Sequence, residues 1–282
     1  MVSAVTQPTM AMAMRRVRTR MPCVAKASGT TSAVDEALRD RKYVLLDAPV
    51  SNHGARVRFV VYVKGIARDL QVLSPSALGG MRTPEYLQRN PFGKMPLLLT
   101  RDPNLAVFES DAIARYLNDV YKDGGPDLVP NDVDTRAKMG MAIAIHDHHL
   151  SSIQGCMYRD YGDDVRTRAA HLQQVHQCLE ALEHVAVGAP YLAGSEVSLA
   201  DATWLPTMVF CEYILPRKFG WKDVFHNRPK LRTWWEAMHQ LPEGNQVDEE
   251  VRGALQQWDQ GGRWEKVKVN EHVQDKNFQW AF

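Results

Sequence analysis

The chain lacks several things, and each lack narrows what it can be. No apolar run approaches the ~18 residues needed to cross a bilayer, so no membrane span is expected. Cysteine is scarce: Cys23, Cys156, Cys178 and Cys211 are far apart and none falls in a CxxC pair. That excludes a disulfide framework or a cysteine-based zinc site, and the last three fit small buried hydrophobes. The formal net charge is only +1, so bulk charge points to neither nucleic acid nor acidic lipid. No internal repeat is present. What remains is a 282-residue chain with 45% apolar and 24% charged side chains, the balance of a soluble globular protein of one large or two ordinary domains.

Acidic residues are absent from positions 1–31, which carry Arg15, Arg16, Arg18, Arg20 and Lys26. Rich in Met, Ala, Ser and Thr and without a long apolar core, this segment has the composition of an organelle transit peptide. A secretory signal would need an apolar centre. The stretch Val24 to Ser28 reads as a plastid processing site, and a plastid is favoured over a mitochondrion. The structural alternative is a disordered basic tail. The remaining 251 residues hold 29 basic against 33 acidic side chains.

Regular patterning begins at Lys42. KYVLLDAP reads as a buried strand stopped by Pro49, GARVRFVVYVKG as a helix, and ARDLQVLSP as a second, parallel strand. TPEYLQRN is a short helix opened by Pro84. MPLLLT and AVFES flank a turn and make an antiparallel hairpin. SDAIARYLNDVY is a helix with Ile113, Tyr116, Leu117 and Val120 on one face. This order fits a four-stranded mixed sheet with helices on both sides. The Gly/Pro/Asp stretch 122–132 is the best boundary, separating residues 42–121 from an all-helical domain at 133–260. In that domain Asp134 reads as an N-cap, Leu172, Val175, Leu179, Leu182 and Ala186 form a packing stripe, and Ser198 with Asp201 forms a capping box. Arg166 and Arg168 read as a solvated face. Residues 261–282 form a tail whose Phe278, Trp280 and Phe282 should dock on some surface. Three surfaces are open to it: a substrate cleft, the first domain, or another protein.

Five ordered segments between Ser51 and Met238 carry a family resemblance: PVSNHGARVRF, RNPFGKMPLL, FESDAIARYL, YLAGSEVSLADAT and RPKLRTWWEAM. Together they resemble a serine-type, phi/theta-like glutathione S-transferase. The resemblance implies an α/β plus all-α chain, with a thioredoxin-like N-terminal domain followed by the family's helical domain. It also implies glutathione as co-substrate, a homodimer, and a cis-proline at Pro96. The chemistry of the residues agrees. A cis-proline would turn the Met95 backbone toward a peptide-like ligand, which adds a short strand to the sheet edge. Glu109 and Ser110 open a helix whose N–H groups favour a carboxylate. Ser51 is expected to donate to the glutathione sulfur, and its structural alternative is the N-cap of the first helix. His53 is a second candidate for the sulfur. Met81 and Arg82 stand where the family's His-Lys pair holds the glycyl carboxylate: Arg82 can still bind it, the histidine contact is missing, and Lys94 is its candidate substitute. No cysteine lies between positions 47 and 54, which argues against the cysteine-type members.

Two other groups bear on function. Met157, Tyr158 and Tyr161 are candidates for an apolar substrate wall. His146, Asp147, His148 and His149 suggest a metal, yet no further acid or cysteine is spaced to complete a site, so none is assigned; His146 and His149 should share a helix face. The expected activity is conjugation of the glutathione thiolate to an electrophilic hydrophobic small molecule. Glutathione-dependent isomerisation, dehalogenation or peroxide reduction is a second enzymatic option. The rival of another class is a non-catalytic scaffold or ligand-binding subunit of an organellar assembly, carrying a hydrophobic or tetrapyrrole-like ligand. The missing histidine and the aromatic tail favour that rival.

Overall fold

The computed structural model describes residues 32–282; the transit-peptide reading and Cys23 lie outside them. Four strands form one mixed sheet in the order β2-β1-β3-β4. Strand β1 (Tyr43–Leu46) pairs in parallel with β2 (Leu70–Leu73). On its other side β1 runs antiparallel to β3 (Leu97–Thr100), which pairs antiparallel with β4 (Ala106–Phe108). Side chains alternate across the pleat. Tyr43, Leu45 and Leu98 join the large core formed with α2 (Asn52–Val63), α4 (Ser110–Val120) and the helical half. Val44, Leu46, Leu97 and Leu99 face the other way, onto Leu78, Tyr86 of α3 (Pro84–Arg89), and Val34 and Ala37 of an additional helix, α1 (Ala33–Asp40). Helix α1, capped by Ser32, precedes the patterned region recognised from sequence. In α4, Ile113 and Leu117 are buried, but Val120 sits half exposed on the last turn and does not belong to the packing face.

The helical half comprises α5 (Val133–Ala144), α6 (Val165–Val185), α7 (Leu199–Phe219), α8 (Pro229–Met238) and α9 (Pro242–Gln260). No helix among the described residues is long and apolar enough to cross a membrane. Helix α7 is buried on nearly every side and packs on α2, α5 and α9, which joins the two halves around one core. Its capping box forms as expected. Asp201 accepts from the Ser198 N–H and hydroxyl, both at 2.8 Å, and also from the Leu192 N–H and the Trp234 indole, both at 2.9 Å. The α6 stripe is buried throughout. Cys156, Cys178 and Cys211 are all buried, and burial raises each thiol pKa, that of Cys211 to about 12.

Three local expectations are corrected. The N-cap of α5 is Asp132, whose carboxylate takes the Thr135 N–H at 2.8 Å; Asp134 lies inside the first turn. Residues Ile145–Leu150 form a π-helical turn, with the Ser151 N–H bonded to the His146 carbonyl. The wider turn separates His146, which is buried, from His149, which is exposed. Arg168 is not on a solvated face: its side chain is fully buried and donates to the carbonyls of Cys156, Val267 and Arg159 and to His272 Nδ1, at 2.7, 2.7, 3.1 and 2.9 Å. These bonds hold the tail against α6. The tail then docks on the helical half, where the Trp221 indole donates to the Trp280 carbonyl at 2.9 Å and Phe282 stacks on His176.

Candidate functional site

The site begins where β1 stops. Asp47 is buried under the turn that starts α2, and its carboxylate pairs with Arg58, which also holds Glu250 at 2.8 Å and the Pro49 carbonyl at 3.0 Å. A Cβ on Gly54 would lie 1.8 Å from Asp47 Oδ1, so only glycine leaves room for this carboxyl. Burial pushes the Asp47 pKa up to about 6, against the pull of Arg58, the Ala48 N–H and the Ser51 hydroxyl. Ser51 itself is the N-cap of α2: its Oγ accepts the Gly54 N–H at 3.0 Å. The capping role expected as an alternative is therefore realised, while the serine proton is not consumed by that bond.

The second wall is the loop from Asn90 to Pro96. Asn90 turns the chain with its Oδ1 on the Phe92 N–H and its Nδ2 on the Lys94 carbonyl, at 3.1 and 2.8 Å; the Tyr86 hydroxyl donates to the same carbonyl at 2.7 Å. Gly93 is required here, because its φ is +56° and a Cβ would meet the Met81 carbonyl at 2.8 Å. The Met95–Pro96 bond is cis. Among the described residues, neither the N–H nor the C=O of Met95 makes a hydrogen bond.

The third wall is the start of α4. Glu109 adopts φ 66° and ψ 118°, a left-handed conformation rare for a residue with a side chain. It turns β4 sharply into the helix and leaves Ser110 buried at the helix N-terminus.

These walls enclose a polar cleft of about 80 Å³ lined by His53, Asn90, Lys94, Met95, Pro96, Glu109, Ser110 and Ser151. His53 Nδ1 lies 3.4 Å from Ser110 Oγ, and its Nε2 lies 3.2 Å from Ser151 Oγ. Burial, His146 and Arg56 depress the His53 pKa to about 3, so the imidazole is neutral. Behind it Asp147 binds His146 at 2.7 Å and Arg56 at 3.0 Å; these partners outweigh burial and hold its carboxyl below the ordinary range.

The structure thus brings Lys94, Met95, Pro96, Glu109, Ser110 and His53 together. Ser51 stands two residues before His53 but does not line the cleft. Arg82 is exposed and also outside it, with its guanidinium beside Gly93. Met157 and Tyr158 do not form a substrate wall: Met157 is fully buried, and the Tyr158 ring packs edge-on to Phe210 inside the helical core. Tyr161 is half-buried and tied by its hydroxyl to His171 at 2.8 Å. Two lining residues were missed. Asn90 lies inside a motif that sequence reasoning singled out, whereas Ser151 carries no local signal.

Comparison with known proteins agrees with this geometry. Residues 50–120 match the glutathione S-transferase N-terminal domain and residues 165–237 the glutathione S-transferase C-terminal domain. Glutathione S-transferase F14 of Arabidopsis thaliana is 30% identical over 194 residues, covering 65% of this chain and 74% of the relative. Glutathione S-transferase 3 of Zea mays is 30% identical over 209 residues, covering 70% and 89%. Among solved structures, apo glutathione S-transferase III superposes with a TM-score of 0.61 at 27% identity, covering 73% of this chain and 95% of that one. Glutathione transferase F7 from Populus trichocarpa shares the fold at 24% identity, with a TM-score of 0.61 over 74% and 99%. With a thioredoxin-like half, a helical half and relatives of this kind, the chain belongs to the glutathione S-transferase family, among its phi-like members.

Proposed function

We propose that this protein conjugates the glutathione thiolate to an electrophilic hydrophobic small molecule. The observation that carries the reading is the convergence of a free Met95 backbone and the Ser110 end of α4 on one polar cleft. A tripeptide would pair with the Met95 N–H and C=O as an added strand. Its γ-glutamyl carboxylate would lie on Ser110 and the α4 N-terminus, with its ammonium group beside Glu109. Lys94, with the exposed Arg82 beside Gly93, supplies positive charge for the glycyl carboxylate.

Ser51 is the proposed sulfur ligand. Its oxygen is engaged by Gly54, and its proton, which the Asp47 carboxyl draws on in the free protein, would turn to a thiolate once one is bound. A free thiol has a pKa of about 8.5, so stabilising the anion is the step that makes a nucleophile at neutral pH. His53 is the competing ligand, since it lines the cleft directly. A homodimer, and import of residues 1–31 into an organelle, a plastid before a mitochondrion, complete the proposal; the basic, acid-free composition of that segment supports the import. The scaffold alternative loses one of its supports, because the tail aromatics pack on the chain's own helical half.

The test is an ultraviolet titration of glutathione thiolate bound to the protein, beside Ser51→Ala and His53→Ala. A bound thiol pKa well below about 8.5 that returns toward the free value in Ser51→Ala supports Ser51. The same return in His53→Ala alone transfers the role to His53. No glutathione binding by the wild type would reject the enzyme reading in favour of a scaffold.

A further inference from the structure

We propose that a closed circuit of hydrogen bonds through both halves of the molecule polarises the two serines of the cleft in opposite senses. In it Ser110 is a donor and Ser151 an acceptor, and His53 and Thr207 act as positioning residues. The identity of the ligand they meet rests on the glutathione reading above; the circuit itself does not.

The circuit can be followed proton by proton. An ionised carboxylate only accepts, so Asp147, 2.7 Å from His146 Nδ1, requires the hydrogen of that ring on Nδ1. His146 is fully buried, and burial keeps it neutral. Its Nε2 is then an acceptor, and its partner at 2.8 Å, the Thr207 hydroxyl, must donate to it. Thr207 has spent its one hydrogen, so its oxygen accepts from Asn52 Nδ2, also at 2.8 Å. The other Asn52 hydrogen goes to Gln154 Oε1 at 2.8 Å. The orientation of the Gln154 amide is thereby settled, and its NH₂ faces His53 Nε2 at 3.4 Å. An amide NH₂ cannot accept, so Nε2 of His53 accepts and Nδ1 carries the hydrogen.

The consequences reach the cleft on both sides of His53. Its Nδ1–H is directed at Ser110 Oγ, 3.4 Å away, and Arg56 approaches the same oxygen at 3.4 Å. Arg56 also binds Asp147, which closes the circuit. With two donors on its oxygen, Ser110 has only its own proton left to offer, and the cleft is the place to offer it. Ser151 is the converse: facing an acceptor nitrogen at 3.2 Å, it donates to His53 and turns its lone pairs to the cleft. One serine is thus set for an anionic group and the other for a cationic or N–H group. This polarity suits an α-amino acid terminus and disfavours ligands with two anions at that end.

The experiment is a long-range ¹H–¹⁵N correlation spectrum of the histidine rings in the ¹⁵N-labelled full chain without glutathione, joined to steady-state kinetics. Wild-type His53 and His146 should both be Nδ1–H tautomers. Thr207→Val removes one link, so His53 should become a mixture of tautomers. The KM for glutathione should then rise about tenfold, the loss of one oriented hydrogen bond, with a much smaller change in kcat. Thr207→Ser should restore both. Should Thr207→Val fail to fold, Gln154→Glu places an acceptor against His53 Nε2 and should drive the ring to the Nε2–H form. An Nε2–H tautomer for His53 in the wild type, or no tautomer change in whichever variant folds, would overturn the proposal. Because the tautomers are read without ligand, the spectrum tests the circuit even in a protein that fails to bind glutathione.

Discussion

Glu109 holds a backbone conformation that a residue with a Cβ adopts at a cost of about 1–3 kcal/mol. A strained residue at the mouth of a cleft trades stability for placement. Glu109→Gly should therefore raise stability by about 1 kcal/mol while raising the KM for glutathione, because it removes the carboxylate proposed to meet the ligand ammonium. Paired melting curves and initial rates check both halves. Asp47 makes a pH prediction. Its folded pKa of about 6 lies above the ordinary 3.8, so the native state binds a proton more readily than the unfolded chain. The stability this contributes is complete below about pH 4 and is lost as pH rises through about 6. His53 works in the opposite direction. Its pKa of about 3 lies below the ordinary 6.5, so its contribution is present above 6.5 and is lost on acidification. In Asp47→Asn only the first contribution vanishes. The stability of the variant relative to wild type should fall by about 2 kcal/mol between about pH 7 and about pH 4, measured by denaturant titration at each pH.

At the scale of elements, the start of α2 is the piece most tightly constrained. Gly54→Ala would drive a methyl group into the Asp47 carboxyl and should cost about 2 kcal/mol or more. Combining it with Asp47→Ala should recover part of that loss in a double-mutant cycle. Elements written in local patterns were legible in advance: the hairpin around Asp102 to Asn104, the capping box of α7, and the stripe of α6. Legibility failed where a neighbour in space sets the geometry. The π turn at Ile145–Leu150 inserts an extra residue, and a 3.6-residue period then puts His149 on the wrong side. Arg168 looks like any surface arginine until the tail supplies the carbonyls that surround it. The Asn52 to Thr207 bond joins residues 155 positions apart, and nothing local announces it. Hence most cleft residues lay inside motifs, where only Asn90 was passed over, and Ser151 lay outside any of them.

At the scale of the whole molecule, the tail acts as a strap on the helical half, hinged on Arg168. Arg168→Leu would leave the Cys156 and Val267 carbonyls without their donor and should destabilise the protein by about 3 kcal/mol. Removing residues 263–282 should lower the melting temperature too, since it uncovers Trp221. The burial of Cys156, Cys178 and Cys211 has a consequence of a different kind. A catalyst that delivers a sulfur nucleophile to electrophiles meets reagents that would alkylate its own thiols. These three are shielded from solvent and held protonated, so among the described residues no competing nucleophilic sulfur is presented. Within residues 32–282, the proposed chemistry would therefore leave the protein's own thiols untouched.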